Sequence, residues 1–152
     1  MIPVRSIRRL IQEDYYPDEF KCLVCCLLLN RCRGATVRGV VGALFERFPG
    51  AVDMAQADVG ELTTILRPLG FQNQRAKRLV EFSKAYNAGF KDVSELPGVG
   101  EYAADFWRIF FLEELGDEAP KDHALVDYWK IAKDGLWPKE GWGYDPIVEA
   151  RR

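Results

Sequence analysis

The sequence is short of what several classes of protein require. It holds one histidine, His123, so a Cys-His or Ser-His hydrolase has nothing further to build on. No cysteine follows Cys32. The four present, Cys22, Cys25, Cys26 and Cys32, crowd into one expected helix and its end, and neighbours on one helix do not readily reach disulfide geometry. Cys22 and Cys25 have a metal-like spacing, but CLVCCLLLN is apolar and a second ligand pair is missing elsewhere. Buried free thiols in a reducing compartment are the better account, and no metal or other cofactor is expected. Positive charge is not in excess: 21 Lys and Arg against 23 Asp and Glu give a net charge of −2. That balance argues against a wholesale basic nucleic-acid binder, which needs clustered Lys and Arg. It conceals an asymmetry, since residues 1–40 hold seven Lys or Arg against four Asp or Glu, while 113–118 is an acidic run. The most apolar stretch, residues 22–29, is flanked by Lys21 and Arg31 and falls far short of the roughly 20 residues that span a bilayer. It reads as a buried helix, with no membrane partner. Signal-peptide, nuclear-import and low-complexity patterns are missing too, and no segment sustains strand alternation.

What is present is helical period. Val37, Val40, Val41, Leu44, Phe45 and Phe48 form one apolar stripe, and Ile7, Leu10 and Ile11 begin another. Asp58 and Glu61 have capping-box spacing ahead of Leu62, Ile65 and Leu66, in a helix that should stop at Gly70. Ala76, Leu79, Val80 and Tyr86 mark a helix ending at Asn87 or Gly89. YAADFWRIFFLEEL marks another, and GLWPKEGWGYDP an irregular C-terminal segment. The expected class is all-α, one domain over residues 1–152, large enough for a single well-buried core.

Between two of these helices lies LPGVG, residues 96–100. Pro97 and Gly98 can simply turn the chain. Alternatively, Gly98 and Gly100 let the backbone approach a partner closely while the next helix offers unpaired N–H groups, an arrangement suited to phosphate. The residues alone leave both readings open.

The hairpin LPGVG resembles that of the helix-hairpin-helix DNA glycosylases of the endonuclease III superfamily. FKCLVCCLLLNRCRG, LRPLGFQNQRAKRLVEFS, ELPGVGEYAADFWRIF and KDHALVDYW also stand in the order and spacing of that family, over roughly residues 4–129. The resemblance is greatest to its mismatch glycosylases that carry a separate methyl-CpG-binding module. No such module is recognisable here, so the chain reads as an isolated catalytic domain or a shortened relative. The resemblance implies the family's helical bundle with a DNA-binding cleft. It also implies excision of thymine or uracil opposite guanine by a monomer acting on mismatched double-stranded DNA, in the nucleus. An abasic site would be left for a downstream AP endonuclease. The cysteines that bind an iron-sulfur cluster in many relatives have no counterpart after Cys32, so no cluster is expected.

Roles carry over residue by residue. Tyr102 stands where bifunctional relatives have the Schiff-base lysine, which implies a monofunctional enzyme using water and lacking AP lyase activity. Asp122 in KDHAL matches the catalytic aspartate, which stabilises the oxocarbenium-like sugar and orients or deprotonates water. Independently, Asp122 precedes Leu125, Val126 and Trp129 and so sits at a helix start; taken alone it reads first as a helix cap, a role compatible with the catalytic one. Gln12 matches the glutamine that hydrogen-bonds the flipped pyrimidine, although the sequence by itself makes it a surface residue. Tyr102 closes the same pocket. Arg31 matches the intercalating arginine, and Phe71 stands where the family has a wedging leucine. Arg75, Gly98, Val99, Gly100 and Lys121 complete the expected DNA contacts. Asp105 reads as an exposed partner of Arg108, and His123 as a structural neighbour of Asp122. Two other readings stay open, an inactive helix-hairpin-helix binding module and a glycosylase for another base. Asp122 and Gln12 favour an enzyme, since a mere binder needs neither.

Overall fold

The computed structural model describes residues 10–112 and 114–134. Ile7 and the GLWPKEGWGYDP segment lie outside the described residues. Seven α-helices are found among the described residues: α1 (Glu19–Leu28), α2 (Gly34–Arg47), α3 (Ala51–Ala55), α4 (Val59–Leu66), α5 (Gln72–Ala88), α6 (Glu101–Trp107) and α7 (His123–Lys133). Short 3-10 turns occupy Ile11–Asp14, Arg67–Leu69 and Val93–Glu95. No strand occurs among the described residues, so the all-α expectation holds.

The arrangement follows from α1. A helix that is apolar all round must be covered on all sides, and α1 is buried from Cys22 to Leu28. Leu23, Val24, Cys25, Leu27 and Leu28 face a large apolar cluster built with α2, α4 and α5. Cys22 and Cys26, one turn apart, face a second cluster containing Ala103, Phe106, Ile109, Phe110, Leu125 and Tyr128. α1 is therefore the shared wall between two apolar bodies. Asp18 starts it, accepting a hydrogen bond from Lys21 N at 3.0 Å. At the same end the Glu19 carboxylate accepts from Tyr86 Oη at 2.8 Å and from Trp107 Nε1 at 3.0 Å, tying α1 to α5 and α6.

The stripe expected on α2 is buried throughout, from Val37 to Phe48. Three local expectations need correction. Asp58 is the N-cap of α4, but its side chain accepts no cap bond. Glu61 pairs instead with Arg47 of α2, Nε to Oε2 at 2.8 Å and Nη2 to Oε1 at 3.1 Å, because a two-pronged guanidinium contact outcompetes a single backbone bond. Leu10, expected on a helix stripe with Ile11, has extended backbone, and Ile11 opens a 3-10 turn. The helix after the hairpin changes pitch: α6 ends at Trp107 and continues as a π-turn over Arg108–Leu112. Phe106 and Phe110 stack across that change, with ring centroids 4.4 Å apart.

The hairpin itself is a hydrogen-bonded turn, with Val99 N donating to Leu96 O at 3.2 Å. Gly98 has φ +84°, the left-handed value that the third position of a type II turn requires after proline. A Cβ there would also lie 2.7 Å from Arg78 Cδ and 3.1 Å from Leu27 Cδ2. Gly100 is different. Its φ is −102° and a Cβ would meet nothing within 4 Å. Only Gly98 is therefore required by the fold. We expect Gly98→Ala to lower unfolding free energy by about 1–3 kcal/mol in urea denaturation, the range for a residue held in a sparsely populated conformation. Gly100→Ala should stay within about 0.5 kcal/mol of the parent, as surface changes do; equal losses would contradict this division.

Candidate active site and nucleic-acid interface

A cleft of about 830 Å³ opens along the seam between the two apolar bodies. Its wall draws on the Ile11–Asp14 turn, the end of α1, the hairpin and the starts of α6 and α7, and it brings together Gln12, Arg31, Gly98, Gly100, Tyr102, Lys121 and Asp122.

Asp122 is the N-cap of α7. Its Oδ1 accepts from Ala124 N at 3.0 Å and from Leu125 N at 3.1 Å, while Oδ2 takes no hydrogen bond from the described residues. One oxygen thus fixes the side chain and the other remains available to the cleft. Lys121 beside it is 85 % exposed and pairs with Glu101 at 3.7 Å. His123 is exposed at the first position of the helix.

Gln12 is 0 % exposed, contrary to a surface reading. Its Nε2 donates to Tyr102 Oη at 2.8 Å and to Cys26 Sγ at 3.3 Å. Cys22 Sγ donates to the Gln12 carbonyl at 3.3 Å, so two thiols one turn apart on α1 hold one residue. Gln12 Oε1 is buried without a hydrogen-bond partner. Leaving such an acceptor unsatisfied costs on the order of 1–3 kcal/mol, a cost that a donor reaching it would relieve. Next in sequence, Glu13 accepts from Leu10 N at 3.0 Å and from the Tyr128 hydroxyl of α7, which fixes the Gln12 turn to the helix that carries Asp122. Burial, then the neighbouring Cys26, pushes the Tyr102 hydroxyl well above the ordinary phenol range. It remains a neutral phenol. Burial likewise raises the Cys26 thiol to about 12, although the Gln12 hydrogen bond works the other way.

Asp105, expected exposed, is half-buried in the cleft wall. Burial and then Glu101 raise its carboxyl, and Arg108, 3.8 Å away, only partly compensates because it also pairs with Asp92 at 3.5 Å.

A second cleft of about 530 Å³ adjoins the first, and Arg31, Asn30, Leu27 and Gly98 line both. Its rim holds Phe71, 64 % exposed at the N-cap of α5. Arg31 at φ +58° and Phe71 at φ +49° are the two non-glycine residues with left-handed backbone among those described. For an L-residue this conformation costs roughly 1–2 kcal/mol.

Two expected DNA contacts are placed otherwise. The Arg75 guanidinium turns inward onto the chain's own carbonyls, Nε to Gly70 O at 2.8 Å and Nη2 to Asn30 O at 3.0 Å, so its donors are already engaged. Val99 packs its side chain against both apolar clusters and its N–H is taken by Leu96 O. Conversely, Arg78 was not singled out by the sequence. Its stem covers Gly98, and its exposed head has no hydrogen-bond or ion-pair partner among the described residues. The signal existed: Phe71, Gln74, Arg75 and Arg78 fall at i, i+3, i+4 and i+7, and all line the second cleft. No group of three or more His, Cys, Asp or Glu suited to a metal occurs among the described residues, and no helix there is long and apolar enough to cross a membrane.

A helical bundle with a glycine hairpin facing a capped aspartate across a cleft defines a class, and residues 24–144 match the model of the HhH-GPD superfamily base excision DNA repair protein. The chain belongs to that superfamily. It is 37 % identical over 129 residues to a methyl-CpG-binding domain protein 4-like protein of Arabidopsis thaliana, covering 84 % of this chain and 29 % of that one. It is 34 % identical over 95 residues to a thymine-DNA glycosylase of Aeropyrum pernix, covering 57 % and 43 %. The chain spans less than half the length of these relatives. Among solved structures, a thermostable thymine-DNA glycosylase superposes with a TM-score of 0.59 at 20 % identity, over 89 % of this chain and 73 % of that one. A trapped endonuclease III–DNA covalent intermediate gives 0.52 at 22 % identity, over 94 % and 82 %. Both share the fold.

The cysteine arrangement yields a direct check. Cys22, Cys25 and Cys26 are buried, with thiols raised by burial, whereas Cys32 is half-buried on the cleft wall. Reaction needs an accessible thiolate. Native protein treated with a thiol reagent should modify Cys32 first, mapped by mass spectrometry, with the other three following only on denaturation. Prompt labelling of Cys26 would contradict the packing around Gln12.

Proposed function

We propose that this chain is a monofunctional DNA glycosylase that excises thymine or uracil opposite guanine in base excision repair. The observation that carries the reading is the unpartnered, buried Gln12 Oε1 in the same cleft as the free oxygen of Asp122. An imide supplies what Oε1 lacks: the ring N–H of uracil or thymine donates to it, whereas a ring nitrogen acceptor would face it with a second lone pair.

A base inside a duplex cannot reach such a cleft, so it must leave the stack. Arg31 and Phe71, exposed and conformationally fixed on adjoining loops, enter the vacated space. The N–H groups of Gly98 and Gly100, which take no bond within the described residues, meet a backbone phosphate beside the α6 N-terminus. Arg78 adds positive charge on that side. With the base against Gln12 and Tyr102, Asp122 Oδ2 faces the sugar. As the N-glycosidic bond breaks, the electron pair leaves with the base and positive charge develops on the sugar. The carboxylate stabilises that charge and takes a proton from the attacking water. The product is an abasic site, left for a separate endonuclease. Tyr102 occupies the place of the Schiff-base lysine, and a phenol cannot form an imine. The reading carries with it a nuclear location and a monomeric state.

Duplexes carrying G·T, G·U, A·U or A·8-oxoguanine, incubated with the protein and then treated with alkali, should be cut at G·T and G·U only. Cutting at 8-oxoguanine pairs, or nowhere, would reject the assignment. Asp122→Asn should lower the single-turnover rate by about 10²–10⁴, the usual weight of a positioned acid–base group. It should leave thermal stability nearly unchanged, because asparagine caps helices as well as aspartate does. Asp105→Asn should lose far less, and the opposite ranking would move the catalytic role to α6.

Borohydride should not trap the protein on uracil-containing duplex, and the abasic strand should stay intact until alkali is added. Lys121, next in sequence to Asp122, is the first amine to test. Trapping that vanishes in Lys121→Ala would replace the hydrolytic mechanism with an amine-based one, and trapping that persists would assign the amine elsewhere.

A further inference from the structure

Arg75 joins the two loops that carry Arg31 and Phe71. Its Nε donates to Gly70 O at 2.8 Å, Nη1 to Leu28 O at 3.5 Å, and Nη2 to Asn30 O at 3.0 Å and Cys32 Sγ at 3.1 Å. The Cys32 thiol then donates to Leu69 O at 3.4 Å. Asn30 and Cys32 flank Arg31, and Gly70 immediately precedes Phe71. The backbone at each left-handed residue is thus held by one side chain, and the two holds are the two ends of a single planar group.

Such a group suits the task. Left-handed backbone at a non-glycine residue persists only where its surroundings over-determine it. A guanidinium offers five donors in a rigid fork and can reach acceptors on two loops at once, which an ammonium on a flexible stem does not reproduce. Its charge also meets the unpaired carbonyls at the C-terminal end of α1, where a cation is favoured.

We propose that Arg75 is a positioning residue that fixes the separation of Arg31 and Phe71, so that the two enter a duplex as one unit. The inference rests on the base-extrusion reading above. It assigns Arg75 no contact with DNA. Its effect passes through the two residues it positions, and disappears when they are removed.

That dependence gives the test. Single-turnover excision from a G·U duplex is measured for the wild type, for Arg75→Lys, for Arg31→Ala/Phe71→Ala, and for the triple variant, with circular dichroism and thermal midpoints recorded for each. Misplacing groups that must meet a substrate costs on the order of a hundredfold; Arg75→Lys should therefore slow the wild type by roughly ten- to a hundredfold. In the Arg31→Ala/Phe71→Ala background it should change the rate by less than about twofold, since sites acting through one interaction are non-additive. A merely structural role, or a direct DNA contact by Arg75, would give the same factor in both backgrounds and overturn the proposal. So would a wild-type rate for Arg75→Lys. If Arg75→Lys does not fold, Cys32→Ala removes only the thiol between Arg75 and Leu69 and should show a smaller factor with the same dependence. A wild type that excises nothing ends the base-excision reading and this proposal together, whereas an active wild type with an additive Arg75 effect ends this proposal alone.

Discussion

The buried polar turn at Gln12 and Glu13 is the constraint on which the cleft depends. Both residues are almost inaccessible to solvent and lie where the two apolar bodies meet. Polar groups at such a place must find partners or be costly, and the side-chain partners here come from three helices. Gln12 reaches Cys26 on α1 and Tyr102 on α6, and Glu13 reaches Tyr128 on α7. The second apolar cluster, which contains Cys26 and Tyr128 with Tyr102 packed against it, therefore has one permitted orientation relative to the turn. The position of Asp122 follows, because α7 cannot rotate without breaking the Tyr128 bond.

Cysteine has a specific use here. At residues 22 and 26 a serine would bring a strongly hydrated hydroxyl into an apolar cluster, while an aliphatic residue at 26 would leave the Gln12 amide with Tyr102 as its one remaining partner. A thiol packs as a small hydrophobe and still donates or accepts weakly. Of the four thiols, three are buried packing groups, two of them facing the Gln12 turn, and one is a half-buried member of the Arg75 network.

Much of the fold was legible because it rests on period and caps. The α2 stripe, the solid apolar helix at residues 22–28, the stop at Gly70 and the aspartate at the start of α7 are all local signals, and each is realised. The site was less so. Gln12 sits in a four-residue turn too short to show any period, and only resemblance to a family drew it into a pocket. Asp58 and Glu61 had the spacing of a cap, but Arg47, distant in sequence, took Glu61. The inward turn of Arg75 depends on carbonyls more than 40 positions away. No local pattern announces a left-handed arginine or phenylalanine, since the conformation is imposed by what surrounds them rather than preferred by what they are.

Phe71 is held in its left-handed backbone conformation by the fold itself, with Arg75 Nε bonded to the carbonyl of Gly70 just before it. The entropy of ordering that loop is therefore lost once, when the chain folds, and not again at each encounter with a duplex. On the proposed reading, an enzyme searching long stretches of intact DNA would test each step with a rigid probe. The time spent at a sound base pair would then be set by how readily the pair yields, and not by how long a loop takes to assemble.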